Sequence, residues 1–213
     1  MKALLTGVVL ALLIAGCQPV KPTYLVSAAE PTPPAGWVKF ERDGFSFYAP
    51  GDWREPNALE GFDGSNDPST IQNLSNPAVG AGLAPAKDSA TAGASLTLIN
   101  PSYRPIPGET GTQILIKKET EGGNASLAGE AGESAAAIPR SNHSDVTLPC
   151  GPAVEITSSV KTKTGDSSHQ IMYVMVNGKD VYRIHLLTAN DVSVIKDIAR
   201  PIADTFRVTK PGP

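Results

Sequence analysis

The sequence predicts an α+β fold, a twisted antiparallel β-sheet packed against helices. Three observations predict it. Asn177-Gly178 separates two runs of alternating β-branched and aromatic residues within His169–Phe206, the strongest short-range signal for a hairpin. The same segment ends in a helical stripe, Ile195, Ile198, Ala199, Ile202 and Phe206, at the i, i+3, i+4, i+7, i+11 spacing of one helix face. Upstream, short apolar runs are punctuated by glycine and proline, 20 and 19 in a chain of 213, so strands alternate with many loops around a thin core.

Met1-Lys2 is a short basic start, and Ala3 to Ala15 is an apolar run too short to span a bilayer as a mature helix but of the length of a signal-peptide core. It closes on Leu13-Ile14-Ala15-Gly16-Cys17, which resembles the bacterial lipobox, small residues ahead of a cysteine that takes lipid before cleavage. The resemblance implies that residues 1–16 are a lipoprotein signal peptide and that Cys17 is the lipid attachment site. Acylation, palmitate included, by two or more chains is what stable anchoring requires. The protein would then sit on a membrane of the bacterial cell envelope without crossing it. Gln18 in place of aspartate after the cysteine favours the outer membrane if the host has two membranes and follows the common sorting rule. Residues 17–35 carry five prolines among Ser, Thr and Ala and read as anchor plus extended tether. At roughly 3 Å per residue its reach is about 50 Å.

A single domain is expected over residues 36–208, with 209–213 a disordered tail. Val38 and Phe40, then Phe45 and Phe47, alternate about Arg42-Asp43-Gly44 and give two strands ending at Pro50. Trp53, after the Pro50-Gly51-Asp52 turn, has two readings: closing a strand end over the core, the commoner arrangement, or anchoring a partner at the surface. Glu55 to Gly93 has little periodicity, and a loop of that length is a second candidate partner surface. Ser95–Ile99 and Gln113–Lys118 read as strands, the first closed off by Pro101, Pro105 and Pro107. Asn124 to Ile138 is Ala-rich, with Asn124 as N-cap and Pro139 past its end, and reads as a helix. Val146–Leu148 and Ala153–Lys161 are strands about the Cys150-Gly151-Pro152 turn, and Lys163-Thr164-Gly165-Asp166 turns the chain into the hairpin.

With Asn177-Gly178 as the loop, Val176 is expected opposite Lys179, Tyr173 opposite Tyr182 and Ile171 opposite Ile184. One hairpin face then carries Ile171, Tyr173, Met175, Tyr182, Ile184 and Leu186, for the C-terminal helix to cover. The other carries Gln170, Met172, Val174, Val181, Arg183 and His185, and its polar residues Gln170, Arg183 and His185 are, with Trp53, the candidate partner surface. Asn190 or Asp191 would cap the last helix, and Pro201 would kink or shorten it.

The order GFSFYAPGDW, strands, the Gly151-Pro152-Ala153 strand entry, a hairpin with a Gly-Lys turn and a helix ending Thr205-Phe206 is similar to the PsbP/DcrB-like superfamily, which includes the actinobacterial lipoproteins called LpqN. The similarity covers about Gly36 to Val208 and departs from the usual pattern over Glu55 to Gly93. It implies a PsbP-like α/β sandwich, an antiparallel sheet with helices on one or both faces, and a role in binding or assembling a partner. It supplies no catalytic residues.

The residues themselves point away from enzymatic chemistry. His143, His169 and His185 lie apart without metal-ligand spacing, and no metal or other cofactor is expected. Ser158-Ser159-Val160-Lys161 and Lys163-Thr164-Gly165 match penicillin-binding motifs but crowd into one strand and turn, and Gly132–Ala136 falls short of a nucleophile elbow and reads as solvent-facing helix. Once Cys17 is acylated, Cys150 has no disulfide partner in the chain and is expected buried beside Leu148, Ala153 and Val154. The net charge of −3, or −4 without Lys2, comes with no basic stripe, so nucleic acid is not a partner. The functional expectation is a membrane-anchored envelope lipoprotein serving as a non-enzymatic binding or assembly module for an envelope protein. The alternative is a carrier or hydrolase whose site is assembled from loops.

Overall fold

The computed structural model describes residues 25, 29–42, 44–55, 95–100, 102, 112–123, 125–161, 167–188 and 191–209. The signal peptide, Cys17, the bulk of the Glu55–Gly93 span, Pro101, Pro105, Pro107, Asn124, the Lys163–Asp166 turn and Asn190 lie outside them.

Nine strands and two helices occur among the described residues: β1 (Trp37–Arg42), β2 (Phe45–Pro50), β3 (Ser95–Ile99), β4 (Gln113–Thr120), α1 (Leu127–Ala137), β5 (Asn142–Leu148), β6 (Gly151–Lys161), β7 (Ser167–Asn177), β8 (Asp180–Thr188), α2 (Ser193–Thr205) and β9 (Arg207–Val208). All strand pairs are antiparallel. They form a six-stranded sheet, ordered β3-β4-β8-β7-β6-β5, and a three-stranded sheet, β1-β2-β9. The fold is α+β with an antiparallel sheet packed against helices.

The centre of the six-stranded sheet is buried on both faces because β7 and β8 carry apolar residues on both. On one face Tyr173, Met175, Tyr182, Ile184 and Leu186 meet Ile195, Ala199 and Ile202 of α2, Phe206 just past its end, and Phe45 and Phe47 of β2. Phe206 stacks on Phe45 with centroids 5.8 Å apart and takes the edge of Tyr182 at 5.4 Å. On the other face α1 lays Ala131, Ala135 and Ile138 over Val154, Ile156, Met172, Val174 and Val181. The short side chains of α1 let it lie close against the sheet.

The hairpin register differs from the expected one by two residues. Asn177 pairs with Asp180, Val176 with Val181, Tyr173 with Ile184 and Ile171 with Leu186, so the loop is Gly178-Lys179. Only Gly178 takes a positive φ, +65°, the requirement of a II′ turn at its first central position. Asn177 instead stays in the strand with its side chain turned inward. A displacement of two preserves the side-chain alternation, so both faces keep their expected residues.

Other boundaries move for local reasons. The N-cap of α1 is Ser126, whose hydroxyl accepts from Gly129 N–H at 3.1 Å. Strand β5 starts at Asn142, earlier than its apolar residues suggest, because all seven of its residues pair with β6. At α2 the Asp191 carboxylate accepts from Ser193 N–H at 2.9 Å, and the helix runs through Pro201 to Thr205. Strand β9 carries no periodic signal and forms because Arg207 and Val208 fall beside Ser46 and Phe45. Thr209, expected in the tail, donates its N–H to Gly44 O at 3.0 Å.

The expected tether is not all spacer. Leu25 is 8% exposed and belongs to the α2-side core. Its N–H donates to Asn177 Oδ1 at 3.2 Å. Its side chain lies against Gly151, where φ is +144° and a Cβ would sit 3.1 Å from Leu25 Cδ2. Further on, Arg207 Nε donates to Ala29 O at 3.2 Å, and Glu30 accepts from Tyr48 Oη at 2.9 Å and pairs with Lys39 at 3.1 Å.

Candidate functional site

Of the residues singled out for a partner surface, Gln170, Arg183 and His185 sit on the sheet face that α1 covers, and they are interior. Gln170 is 2% exposed, His185 3% and Arg183 8%. Their strand positions are those expected, but an open face for them is not what forms. A face carrying Val154, Ile156, Met172, Val174 and Val181 beside those polar groups would leave a large apolar area in water, and α1 covers it.

Arg183 is therefore a clamp between sheet and helix. Its Nη1 is paired with Glu119 of β4, its Nη2 with Glu130 of α1 at 2.7 Å, and its Nε donates to Ser134 Oγ at 3.2 Å. Lys117 Nζ adds a second cation to Glu119 at 2.5 Å. Burial pushes the Glu130 carboxyl above its ordinary value, opposed by the Arg183 guanidinium. All three guanidinium nitrogens have partners and the side chain is buried, so the group serves the contact between sheet and helix. Ser134, expected on solvent-facing helix, is buried because it supplies one of those partners.

His185 pairs with Gln170 across the hairpin, Nε2 to Oε1 at 2.9 Å. An amide oxygen only accepts, so the ring donates its Nε2 proton to Gln170. Burial draws its pKa down to about 4. Trp53 is 3% exposed and packs in the α2-side core, the commoner of its two readings; as a surface anchor it is excluded by that burial.

The remaining chemistry-bearing residues are also engaged in structure. Cys150 is buried with Sγ 3.7 Å from Met175 Sδ, and burial raises its thiol pKa to about 11, far from thiolate at neutral pH. Ser158 Oγ donates to Pro139 O at 2.6 Å, tying β6 to the end of α1. His169 and His185 are on opposite faces, and His169 Nδ1 instead meets Ser159 Oγ at 2.7 Å in an exposed cross-strand pair. Sequence reasoning missed Tyr173 and Glu155, whose hydroxyl and carboxylate are 2.6 Å apart, the phenol being pushed upward by burial and by that hydrogen bond. Only the β6–β7 register, which places Glu155 opposite Tyr173, could have found them. A buried Asp180 is likewise held by Lys118 Nζ at 3.0 Å and Thr120 Oγ1 at 2.6 Å. Among the described residues no group of three or more His, Cys, Asp or Glu could hold a metal ion, and no helix is long and apolar enough to cross a membrane.

No protein-family model matches the chain, and no curated protein matches it. Several solved structures are similar to it, among them these two. One is a crystal structure from Bacteroides thetaiotaomicron VPI-5482, with TM-score 0.48 and 14% identity, covering 82% of this chain and 49% of that one. The chain spans about half the length of that protein. The other is the solution structure of cyanobacterial PsbP, CyanoP, from Synechocystis sp. PCC 6803, with TM-score 0.44 and 12% identity, covering 92% of this chain and 98% of that one.

Proposed function

We propose that the chain is an envelope lipoprotein, acylated at Cys17, whose PsbP-like domain works as a non-enzymatic binding or assembly module. The observation that carries the reading is the run Leu13-Ile14-Ala15-Gly16-Cys17 behind an apolar segment with a basic start. The way the domain spends its polar side chains supports the second half. Arg183, Glu119, Glu130, His185, Gln170 and Asp180 are committed to one another or to neighbouring hydroxyls and lysines, which makes a scaffold. With Gln170, Arg183, His185 and Trp53 inside, an envelope partner would meet exposed groups instead, such as Asn142 to Asp145 on β5, the edge strand of the large sheet.

Acylation is tested by growing cells with a clickable palmitate analogue and measuring the mature mass. Label on the wild-type chain and none on Cys17→Ser is the expected result; label retained by Cys17→Ser would overturn it. The module reading is tested by cross-linking in intact cells, where one envelope protein should be captured at constant ratio and lost when β5 carries Asp145→Lys. Capture unchanged by that substitution would remove β5 from the proposal.

A further inference from the structure

Resting on acylation of Cys17, we infer that the docking of Leu25 makes one end of the domain a membrane-facing surface. That end carries Leu25, the Cys150-Gly151 turn and the Gly178-Lys179 hairpin tip, and its partner is the lipid surface itself. The argument is one of chain length. If residues 17–35 were all spacer, the domain could stand about 50 Å away in any orientation. Leu25 is instead fixed by a buried side chain against Gly151 and by the hydrogen bond from its N–H to Asn177 Oδ1. Ala29, held by Arg207, and Glu30, held by Tyr48 and Lys39, secure the chain that follows.

Eight residue steps separate Cys17 from Leu25, so the acylated end lies within about 29 Å of Leu25, which is bonded to Asn177 beside the hairpin tip, even when fully extended. The opposite end of β7, at Ser167, is ten residues from Asn177, about 33 Å further along the strand. The tether therefore attaches at one pole of the sheet and not at its middle. Lys179 and Glu121, described residues exposed at that pole, carry opposite charges, so the orientation is assigned to the tether and not to recognition of anionic headgroups.

The test uses the full acylated chain in phosphatidylcholine vesicles containing a headgroup-labelled energy acceptor. A donor fluorophore is placed on Lys179→Cys or on Ser167→Cys; the buried Cys150 thiol does not compete for label. Quenching is expected to be severalfold stronger at 179 than at 167, the same with or without phosphatidylglycerol, and to even out in Leu25→Ser. Hydrogen exchange on the unsubstituted protein should show the Leu25 amide protected. Equal quenching at both sites in protein whose mass shows the acyl chains would overturn the orientation alone, as would a contrast seen only with phosphatidylglycerol or an unprotected Leu25 amide. A mature mass without acyl chains would overturn the anchoring reading and this inference with it.

Discussion

Acid should weaken this domain through His185. The ring is fully enclosed, its Nε2–H is given to Gln170, and burial holds its pKa near 4 against an ordinary 6.5. Above pH 6.5 neither the folded nor the unfolded chain protonates it. Between 6.5 and 4 the unfolded chain binds a proton that the folded one refuses, so stability falls as pH falls. Below 4 the loss is complete. At 1.36 kcal/mol for each pKa unit, the drop from 6.5 to about 4 amounts to about 3 kcal/mol, a large part of the 5–15 kcal/mol or so typical of a domain. Urea unfolding of the wild type and of His185→Gln from pH 7.5 to 4 isolates the effect, because carboxylate contributions common to both cancel in the difference. The wild type should lose about 3 kcal/mol relative to the variant across that window. A difference that stays constant with pH, or a ring that titrates near 6.5 by NMR, would refute the reasoning.

Arg183→Ala should cost about 3–5 kcal/mol in urea unfolding, since it strands the Glu130 carboxylate between α1 and the sheet and leaves Glu119 only Lys117. In a Glu130→Gln background the same change should cost less by about 1 kcal/mol or more, and strict additivity would argue against the clamp. Gly178→Ala should destabilise by about 1 kcal/mol through its positive φ without altering which residues are buried, as read by thermal unfolding and hydrogen exchange. Cys150 should alkylate slowly in the native protein at pH 8 and quickly in denaturant; native labelling at the rate of a free thiol would contradict its burial and raised pKa.

Much of the fold could be read from residue order. Alternation in Phe45–Pro50, Ser95–Ile99 and Gln113–Lys118 marked strands, because a strand half in water must place apolar groups at every second residue. The stripe Ile195, Ala199, Ile202 and Phe206 marked the helix that covers one face of the hairpin for the same geometric reason at a period of 3.6. Asn177-Gly178 placed the turn, though which of its residues enter the loop depended on the inward role of the Asn177 side chain, a long-range contact with Leu25.

Which polar residues face water was decided only by packing. Gln170, Arg183 and His185 read as a wet face because their types are polar, but the apolar residues alternating with them required a cover, and α1 supplied Glu130 and Ser134 as partners along with it. Leu25 gave no periodic signal within a proline-rich run, and its burial follows from the space left by the missing side chain at Gly151, 126 residues away in the sequence. Sequence by itself determined both helices and most of the strands, because these depend on neighbours a few residues apart. The tertiary structure decided what the polar groups do and where Leu25 packs, because those depend on surfaces that exist only once distant strands and helices meet.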